Sequence, residues 1–556
     1  MLTRPILHRL RLSAEISLVL SRYLFYLSFM LAVPFLTAAY FEFIDPASHP
    51  QPHSTLAFVE TLAICIGAAF ALRFMGRKAT GELHRREGIM LVVSIWLVTS
   101  LMSAFPFYLS HTLTNPVDAY FEAMSGLTTT GATMIAPKAY DPNGNEIPIY
   151  ITNPHVPDKT YTFYGTVAPV RDPNNGLILA SGVEAVGKGV LLWRSMLQWL
   201  GGLGIVVIFL TVLPALQVGG KFLYQVETSG PVKEGISPRI KETAAKLWKL
   251  YLFLTLLEVA LIVWTNFDMP LFDAVCISFS NISTGGFSVR NESIASYHSS
   301  VTEWIVFVFM IAGSINFSLY FQAIRRKFQK MFVPDFLLFL AIAAIGCALV
   351  SFLLVGHRKV GLDGIVGVYS ISDAVREGSF QALSMQTSTG FITANYDQWP
   401  FAAQMFMLLL MFVGGMSGST AGGIKTSRFY ILYKIILSRL ESIYRPDSVR
   451  TLRIGTSEVD DKSSLTVLSF FCIVAFFVVL GVVSLVLDGV DPETSLGLVA
   501  CFLNNVGAAF RAAGPTDSFA FLSTLSKVLS IIWMLLGRLE YYVVLLLLLP
   551  SFWKNR

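Results

Sequence analysis

Apolar residues in this chain run in unbroken stretches, not in the period-two or period-3.6 patterns of half-buried strands and helices. Ten stretches lie near 20–43, 54–76, 88–110, 192–217, 248–267, 301–324, 334–356, 402–433, 463–488 and 524–549. About 20 helical residues cross a hydrocarbon core, so the pattern predicts an all-α polytopic membrane protein. Basic clusters follow alternate stretches: Arg73, Arg77, Lys78, Arg85 and Arg86; Lys233, Arg239, Lys241 and Lys246; Arg325, Arg326 and Lys327; Arg428, Lys434, Arg439 and Arg445; Lys554 and Arg556. Positive charge stays inside, which places both termini in the cytoplasm, with Arg358 and Lys359 as the exception. The first stretch follows a basic segment (Arg4, Arg9, Arg11) without a small-residue cleavage site, so it reads as a retained span.

Four connections on the outer side share a pattern. Each opens on an acid (Asp118, Asp273, Glu377, Glu493), continues for about ten mostly apolar or small residues, and ends in a polar pair and a glycine. Taking Gly131, Gly285, Gly390 and Gly507 as the glycines, the separations are 13, 12, 13 and 14 residues. Ten helical residues rise only about 15 Å, too little to span. These segments read as re-entrant half-helices with the acid at the favourable end of the dipole. The glycine segment that follows exposes backbone carbonyls at membrane depth, which is tolerated only beside a polar cavity. Four such segments around one axis make a cation filter.

Composition narrows the field further. Of 556 residues, 54% are hydrophobic and only 14% charged, against roughly 25% charged in soluble proteins. A soluble enzyme or nucleic-acid binder is thereby excluded, and the net charge of +5 reflects orientation, not a polyanionic partner. Cys65, Cys276, Cys347, Cys472 and Cys501 stand singly in apolar stretches, as buried inert thiols do. No catalytic or metal-spaced set stands out, so no enzyme is expected.

The stretches FEAMSGLTTTGAT (121–133), WRSMLQWLGGLGIVV (193–207), SNISTGGFS (280–288), STGFIT (388–393), GGMSGSTAGGIKTSR (414–428) and GRLE (537–540) resemble the Trk/Ktr/HKT superfamily of potassium transporters, specifically its Trk-type membrane subunit. The resemblance implies two N-terminal transmembrane helices followed by four M1–P–M2 pore repeats around a central potassium filter. The corresponding divisions are 1–87, 88–247 (with an outer insertion at about 135–190), 248–333, 334–460 and 461–556. It also implies potassium as the transported ion, a homodimer in a bacterial inner membrane, and a cytoplasmic nucleotide-binding regulatory subunit of the TrkA kind. The filter it implies is Thr129, Thr130 and Gly131; Ser283, Thr284 and Gly285; Ser388, Thr389 and Gly390; and Asn505, Val506 and Gly507. In this superfamily a serine at the first filter glycine goes with sodium permeation, so four glycines favour potassium.

Residues 414–423 read GGMSGSTAGG. Gly414, Gly415, Gly418, Gly422 and Gly423 are too many for a helix interior, at ~1 kcal/mol each. A broken helix under the filter would serve as a gate. The same run imitates a phosphate loop, but Ile424 separates Gly423 from Lys425, so no nucleotide is expected there. Arg538 lies 12 residues before Pro550, about 18 Å of helix. At that depth it needs water or a partner, and it reads either as a pore charge or as a structural ion pair with another helix. Arg511 stands near the expected mouth, where it could slow cations or pair with a carboxylate. The insertion carries strand-like patches and reads as a docked cap. The expected activity is potassium uptake through a gated, channel-like pore; the alternative is a proton- or sodium-coupled potassium symporter, although no carboxylate pair stands out inside the spans.

Overall fold

The computed structural model describes residues 3–46, 53–79, 85–152, 159–172, 176–204, 240–362, 364, 366–445, 452–454, 457–459 and 461–553. The chain opens with α1 (Thr3–Ala39), α2 (Thr55–Met75) and α3 (Arg85–Leu109), three long apolar helices packed on one another. A short helix, α4 (Pro116–Leu127), follows. Asn115 caps it by accepting from the Val117 N–H, and Pro116 occupies the first turn, where no donor is needed. Three antiparallel hairpins come next: β1 (Ala139–Tyr140) with β2 (Glu146–Ile147), β3 (Ile149–Thr152) with β4 (Thr160–Phe163), and β5 (Val170–Arg171) with β6 (Ile178–Ala180). The buried helix α5 (Lys188–Gly202) closes this part.

Three further stretches repeat the order of long helix, short helix, broken helix. The first comprises α6 (Ile240–Thr265), α7 (Leu271–Ile282), α8 (Ser300–Ser314) and α9 (Phe317–Ile324). The next comprises α10 (Pro334–Leu354), a hairpin of β7 (Arg358–Val360) and β8 (Val366–Val368), α11 (Ile371–Gln386), α12 (Phe401–Phe412) and α13 (Thr426–Tyr444). A small hairpin, β9 (Leu452–Ile454) and β10 (Ser457–Val459), then leads to α14 (Asp461–Leu487), α15 (Pro492–Asn504), α16 (Thr524–Leu539), α17 (Tyr541–Leu548) and α18 (Pro550–Trp553).

Among the described residues six helices are long and apolar enough to cross a membrane, and two bent pairs add two more. The ten expected spans therefore need correction at three places. α8 and α9 meet at 97°, and α16 and α17 at 119°. The expected span 402–433 is interrupted between α12 and α13. The expected span 192–217 is described only to residue 204. The breaks have local causes: the Asn316 side chain starts α9 by accepting from the Ser318 N–H, and Glu540 stands between α16 and α17 at φ 57°, ψ 132°, which no helix tolerates.

Large apolar side chains cover the outside of the long helices, among them Phe29, Phe70, Phe352 and Phe476. Polar side chains concentrate inside instead, around the ends of the four short helices. That inversion suits a lipid solvent and a polar interior. All five cysteines are free; Cys65, Cys276 and Cys501 are buried, Cys347 is half-buried, and Cys472 is exposed on α14, contrary to the expectation that all are buried.

Candidate functional site

The four short helices end in the same backbone device. The second residue past the helix takes left-handed φ at Thr129 (54°), Thr284 (54°), Ser388 (55°) and, directly after α15, Asn505 (53°). Two residues later a glycine does so at Gly131 (88°), Gly286 (78°), Gly390 (76°) and Gly507 (80°). Between them, the N–H groups of Thr130, Gly285, Thr389 and Val506 donate back to Ser125, Ser280, Ser384 and Cys501 at 2.8, 2.8, 2.9 and 3.0 Å. Short helix and strand are thus one unit, made four times.

This register corrects the second segment. Ser283, Thr284 and Gly285 were expected to match Thr129, Thr130 and Gly131, but Thr284, Gly285 and Gly286 occupy those positions. Ser283 matches Thr128 and Thr387 instead: each hydroxyl donates one turn back, to Phe279, Met124 and Leu383 respectively. The sequence Ser-Thr-Gly-Gly offers two glycines, and only backbone geometry separates them. With Gly286 the acid-to-glycine separations become 13, 13, 13 and 14.

The four strands close a ring. A Cβ on Gly131 would collide with the Gly285 carbonyl oxygen, one on Gly286 with that of Thr389, one on Gly390 with that of Val506, and one on Gly507 with that of Thr130. Each glycine therefore abuts the carbonyl of the next segment, in the order first, second, third, fourth, first. Left-handed φ and backbone contact both require glycine at these four places.

Side chains brace the ring from behind. Thr128 and Thr130 share a hydroxyl bond of 2.8 Å, as do Thr387 and Thr389. The second strand has Gly285 where these have threonine, and Gln198 of α5 fills the space. Its amide donates to the Gly285 carbonyl at 2.7 Å and accepts from the Phe287 N–H at 3.0 Å. Asn505 ties the fourth strand to the first through Thr130 Oγ1 at 2.8 Å. Arg194 donates to Glu122 at 2.8 Å, to the Ser288 carbonyl and to Thr133, with both charges fully buried. Neither Gln198 nor Arg194 was found from sequence as a support of the ring; a polar residue inside the apolar stretch of α5 was the available signal.

Each expected acid, in the first turn of α4, α7 and α15 and in the second turn of α11, has a basic partner. Asp118 pairs with Lys527 at 2.7 Å, Asp273 with Arg290 at 3.0 Å, Glu493 with Arg511 at 2.7 Å, and Glu377 with Lys359. Lys359, the exception to the expected charge pattern, is thus held by a helix acid. Arg511 also pairs with Asp397 at 3.0 Å, so its charge is balanced by two carboxylates. Nearby, burial pushes Asp517 up to about 6, with the Asp397 charge adding to the rise. The β3–β4 hairpin docks on the N-terminal end of α15: Tyr161 donates to Asp491, the capping residue of that helix, at 2.7 Å.

At the opposite ends of the short helices lies the loop between α12 and α13. Gly423 N–H donates to the Asn504 carbonyl at 3.0 Å, and Gly422 N–H donates to the Ser388 hydroxyl at 2.5 Å. The Thr420 hydroxyl lies 2.9 Å from the carbonyls of Ile282 and Gly313. Gly414 and Gly415 pack against Gly422 and Ala421 within the loop, while Gly418 turns at Asn316. Gly423 is left-handed and abuts Gly414. Arg538 donates to the carbonyls of Thr420 (2.9 Å), Gly201 (2.6 Å) and Gly202 (3.0 Å), bridging this loop to the end of α5. Glu540 is bound instead by Arg428 at 2.7 Å, whose guanidinium lies 3.8 Å over Phe470.

The described residues hold no group of His, Cys, Asp or Glu arranged to ligate a metal. The chemistry of the site is that of backbone carbonyls, which coordinate hard cations.

Residues 171–554 match the family model of TrkH, described as a cation transport protein. The chain is 30% identical over 504 residues to the Trk system potassium uptake protein TrkH of Salmonella typhimurium, covering 90% of this chain and 92% of that one. It is 33% identical over 508 residues to the Trk system potassium uptake protein TrkG of Escherichia coli, with the same coverage. It also superposes on the crystal structure of the potassium transporter TrkH from Vibrio parahaemolyticus, with a TM-score of 0.76, 28% identity and coverage of 97% and 99%. With a ring of carbonyls at the core of a multi-pass membrane fold, the chain belongs to the TrkH family of cation transport proteins and is not an enzyme.

Proposed function

We propose that this protein is a potassium-selective uptake pathway of the bacterial inner membrane, conducting through the glycine ring. The observation that carries the reading is the closed cycle in which each of Gly131, Gly286, Gly390 and Gly507 abuts a neighbouring carbonyl. Carbonyl rings replace the hydration shell of potassium. The negative ends of α4, α7, α11 and α15 point toward that ring, which favours a cation there. The relatives' names supply potassium as the ion. In this reading α1 and α2 are accessory. The four M1–P–M2 units are α3–α4–α5, α6–α7–α8/α9, α10–α11–α12/α13 and α14–α15–α16/α17. The hairpins β1–β2, β3–β4, β5–β6 and β7–β8 face outward, and β9–β10 and both termini lie in the cytoplasm.

The loop of residues 413–425 then closes the pathway under the ring, with Arg538 as its latch and fixed positive charge. A positive charge in a narrow passage repels potassium far more than it does in water. Opening follows movement of α13, which continues from the loop and carries exposed Arg439 and Arg445. A nucleotide-binding cytoplasmic subunit docking on α13 fits this arrangement, and the functional unit is a homodimer. The basic segment 219–246 is a further candidate docking surface, of which residues 219–239 lie outside the described residues.

A second reading, a proton- or sodium-coupled potassium symporter, requires an ionisable group within the membrane. Glu258 of α6 is a completely buried carboxyl of that kind. Flux of potassium and sodium into liposomes, with and without a proton gradient, separates the readings. Potassium flux that ignores the proton gradient supports the pore, and flux that collapses without it supports the symporter.

A further inference from the structure

Glu258 lies on α6 seven residues before Thr265, about 10 Å along the helix from its end, and is completely buried. Its Oε1 accepts from the side-chain amide of Asn281, in the last turn of α7, at 2.6 Å. The same amide nitrogen donates to the Val306 carbonyl of α8 at 3.0 Å, which fixes which end of the amide faces Glu258. Two polar atoms of this pair are left over: Glu258 Oε2 and Asn281 Oδ1 are both buried without a hydrogen-bond partner. Of the helices that contact α6, α7 and α8 bring no cation: their ionisable groups are Asp273 and Cys276 on α7 and Glu303 on α8. α5 bonds to α6 through Trp199 and carries Lys188 and Arg194, the latter paired with Glu122. Asp273 is held by Arg290, and Glu303 faces Arg376.

The hydrogen-bonded pair therefore holds two buried acceptors and no donor for either, and one added hydrogen atom would serve both. We infer that Glu258 is held as a neutral carboxylic acid whose Oε2–H donates to Asn281 Oδ1, forming a reciprocal acid–amide pair with the observed Asn281-to-Oε1 bond. An ionised carboxylate would leave a membrane-buried charge supported by one neutral donor, which is costly. The neutral acid satisfies both leftover atoms. Glu258 is then a positioning residue. The Asn281 backbone carbonyl accepts from the Thr284 N–H at 2.8 Å, and Thr284 is the left-handed residue that opens the second strand of the ring. The pair therefore clamps α6, α7 and α8 at the root of that strand. Its effect on selectivity rests on the proposed role of the ring; the protonation of Glu258 does not.

The same inference removes Glu258 as a coupling group for the symporter reading. A proton spent on a fixed acid–amide bond does not cycle with each potassium ion.

Infrared difference spectroscopy of the reconstituted full chain against Glu258→Gln tests the pair without measuring flux. The C=O band of a protonated acid should be present in the parent, absent in E258Q, and unchanged from about pH 5 to about pH 9, beyond the ordinary range of a glutamate. A carboxylate band over that range overturns the inference. Asn281→Leu keeps the acid and removes its partner, so the same band should persist at higher frequency; an unshifted band overturns the pairing. In flux assays E258Q, which supplies a donor at the same place, should retain parental potassium flux and pH dependence. Glu258→Leu should lower the potassium-to-sodium ratio roughly tenfold, the consequence of stranding a buried polar partner. If E258Q abolishes flux that the parent couples to a proton gradient, Glu258 is a coupling site and the inference falls. Should serine at the ring glycines leave selectivity unchanged while the acid band persists, the filter reading fails and the acid–amide pair stands.

Discussion

The ring and the loop beneath it are both glycine-rich, but they use glycine for opposite ends. In the ring, Gly131, Gly286, Gly390 and Gly507 come from four segments, and each abuts the carbonyl of the next. Moving one strand disturbs two neighbours, so the device is stiff and nearly symmetric. The loop comes from one segment only: Gly414 and Gly423 meet each other, while Gly415, Gly418 and Gly422 lie against Ala421, Asn316 and the Asn504 carbonyl. It is tied to its surroundings by a handful of bonds, from Gly422, Gly423 and Thr420 to the short-helix ends and from Arg538 to Thr420. A cyclic set of contacts holds a geometry. A single strap can be released.

The largest expected effect comes from breaking the cycle. Gly390→Val places a branched side chain at left-handed φ and against the Val506 carbonyl, so potassium uptake should fall more than about tenfold at equal protein level, from strain of ~1–3 kcal/mol plus the collision. Complementation of potassium-limited growth, with quantified membrane protein, would show it. Uptake like the parent's would mean the ring is not the pathway.

Breaking the support behind the ring should cost stability more than selectivity. Arg194→Leu leaves Glu122 as an uncompensated buried charge, a loss of ~3–5 kcal/mol. Thermal unfolding of the purified protein should show a markedly lower midpoint than the parent. Glu122→Leu should match it, and the double variant should recover part of the loss. Unchanged melting would deny the pair its structural role.

Loosening the strap should do the reverse of damaging the ring. Arg538→Ala removes hydrogen bonds to three carbonyls, each charged bond being worth ~1.5–3 kcal/mol. Potassium flux into liposomes should rise several-fold, including flux without any cytoplasmic partner. A stable Arg538→Ala protein with equal or lower flux would end the latch interpretation.

The smallest effect concerns the mouth. Asp517, raised to about 6 by burial and then by Asp397, is charged above that pH and neutral below it. As the pH falls through about 6 the mouth loses one negative charge, so the potassium concentration for half-maximal uptake should rise about twofold, a screened single-charge effect. Asp517→Asn should abolish that shift. Stability runs the other way: the raised value favours the folded state below the ordinary 3.8, and this contribution is lost as the pH rises through about 6.

What was legible in sequence follows from these distinctions. The acid-to-glycine spacing repeats because each short helix and strand is one local unit, so the four segments could be read from residues close together. The register of the second strand could not, because Gly285 and Gly286 differ only in backbone angle and neighbour. Gln198 lies 87 residues from the carbonyl it supports, and Arg428 lies 112 residues from Glu540; nothing local announces either pair. The break in the third segment was visible through its glycines. The breaks at Asn316 and Glu540 have no glycine or proline at the breaking residue, so the local cap and the backbone angle that make them were not announced by composition.

The central claim is that carbonyls held by four left-handed glycines choose the ion. The most direct test is the potassium-to-sodium permeability ratio of Gly131→Ser and Gly286→Ser, from reversal potentials in a reconstituted bilayer. Both side chains would meet a neighbouring carbonyl, widen the ring and lower the ratio. An unchanged ratio in both folded, conducting variants would contradict the claim.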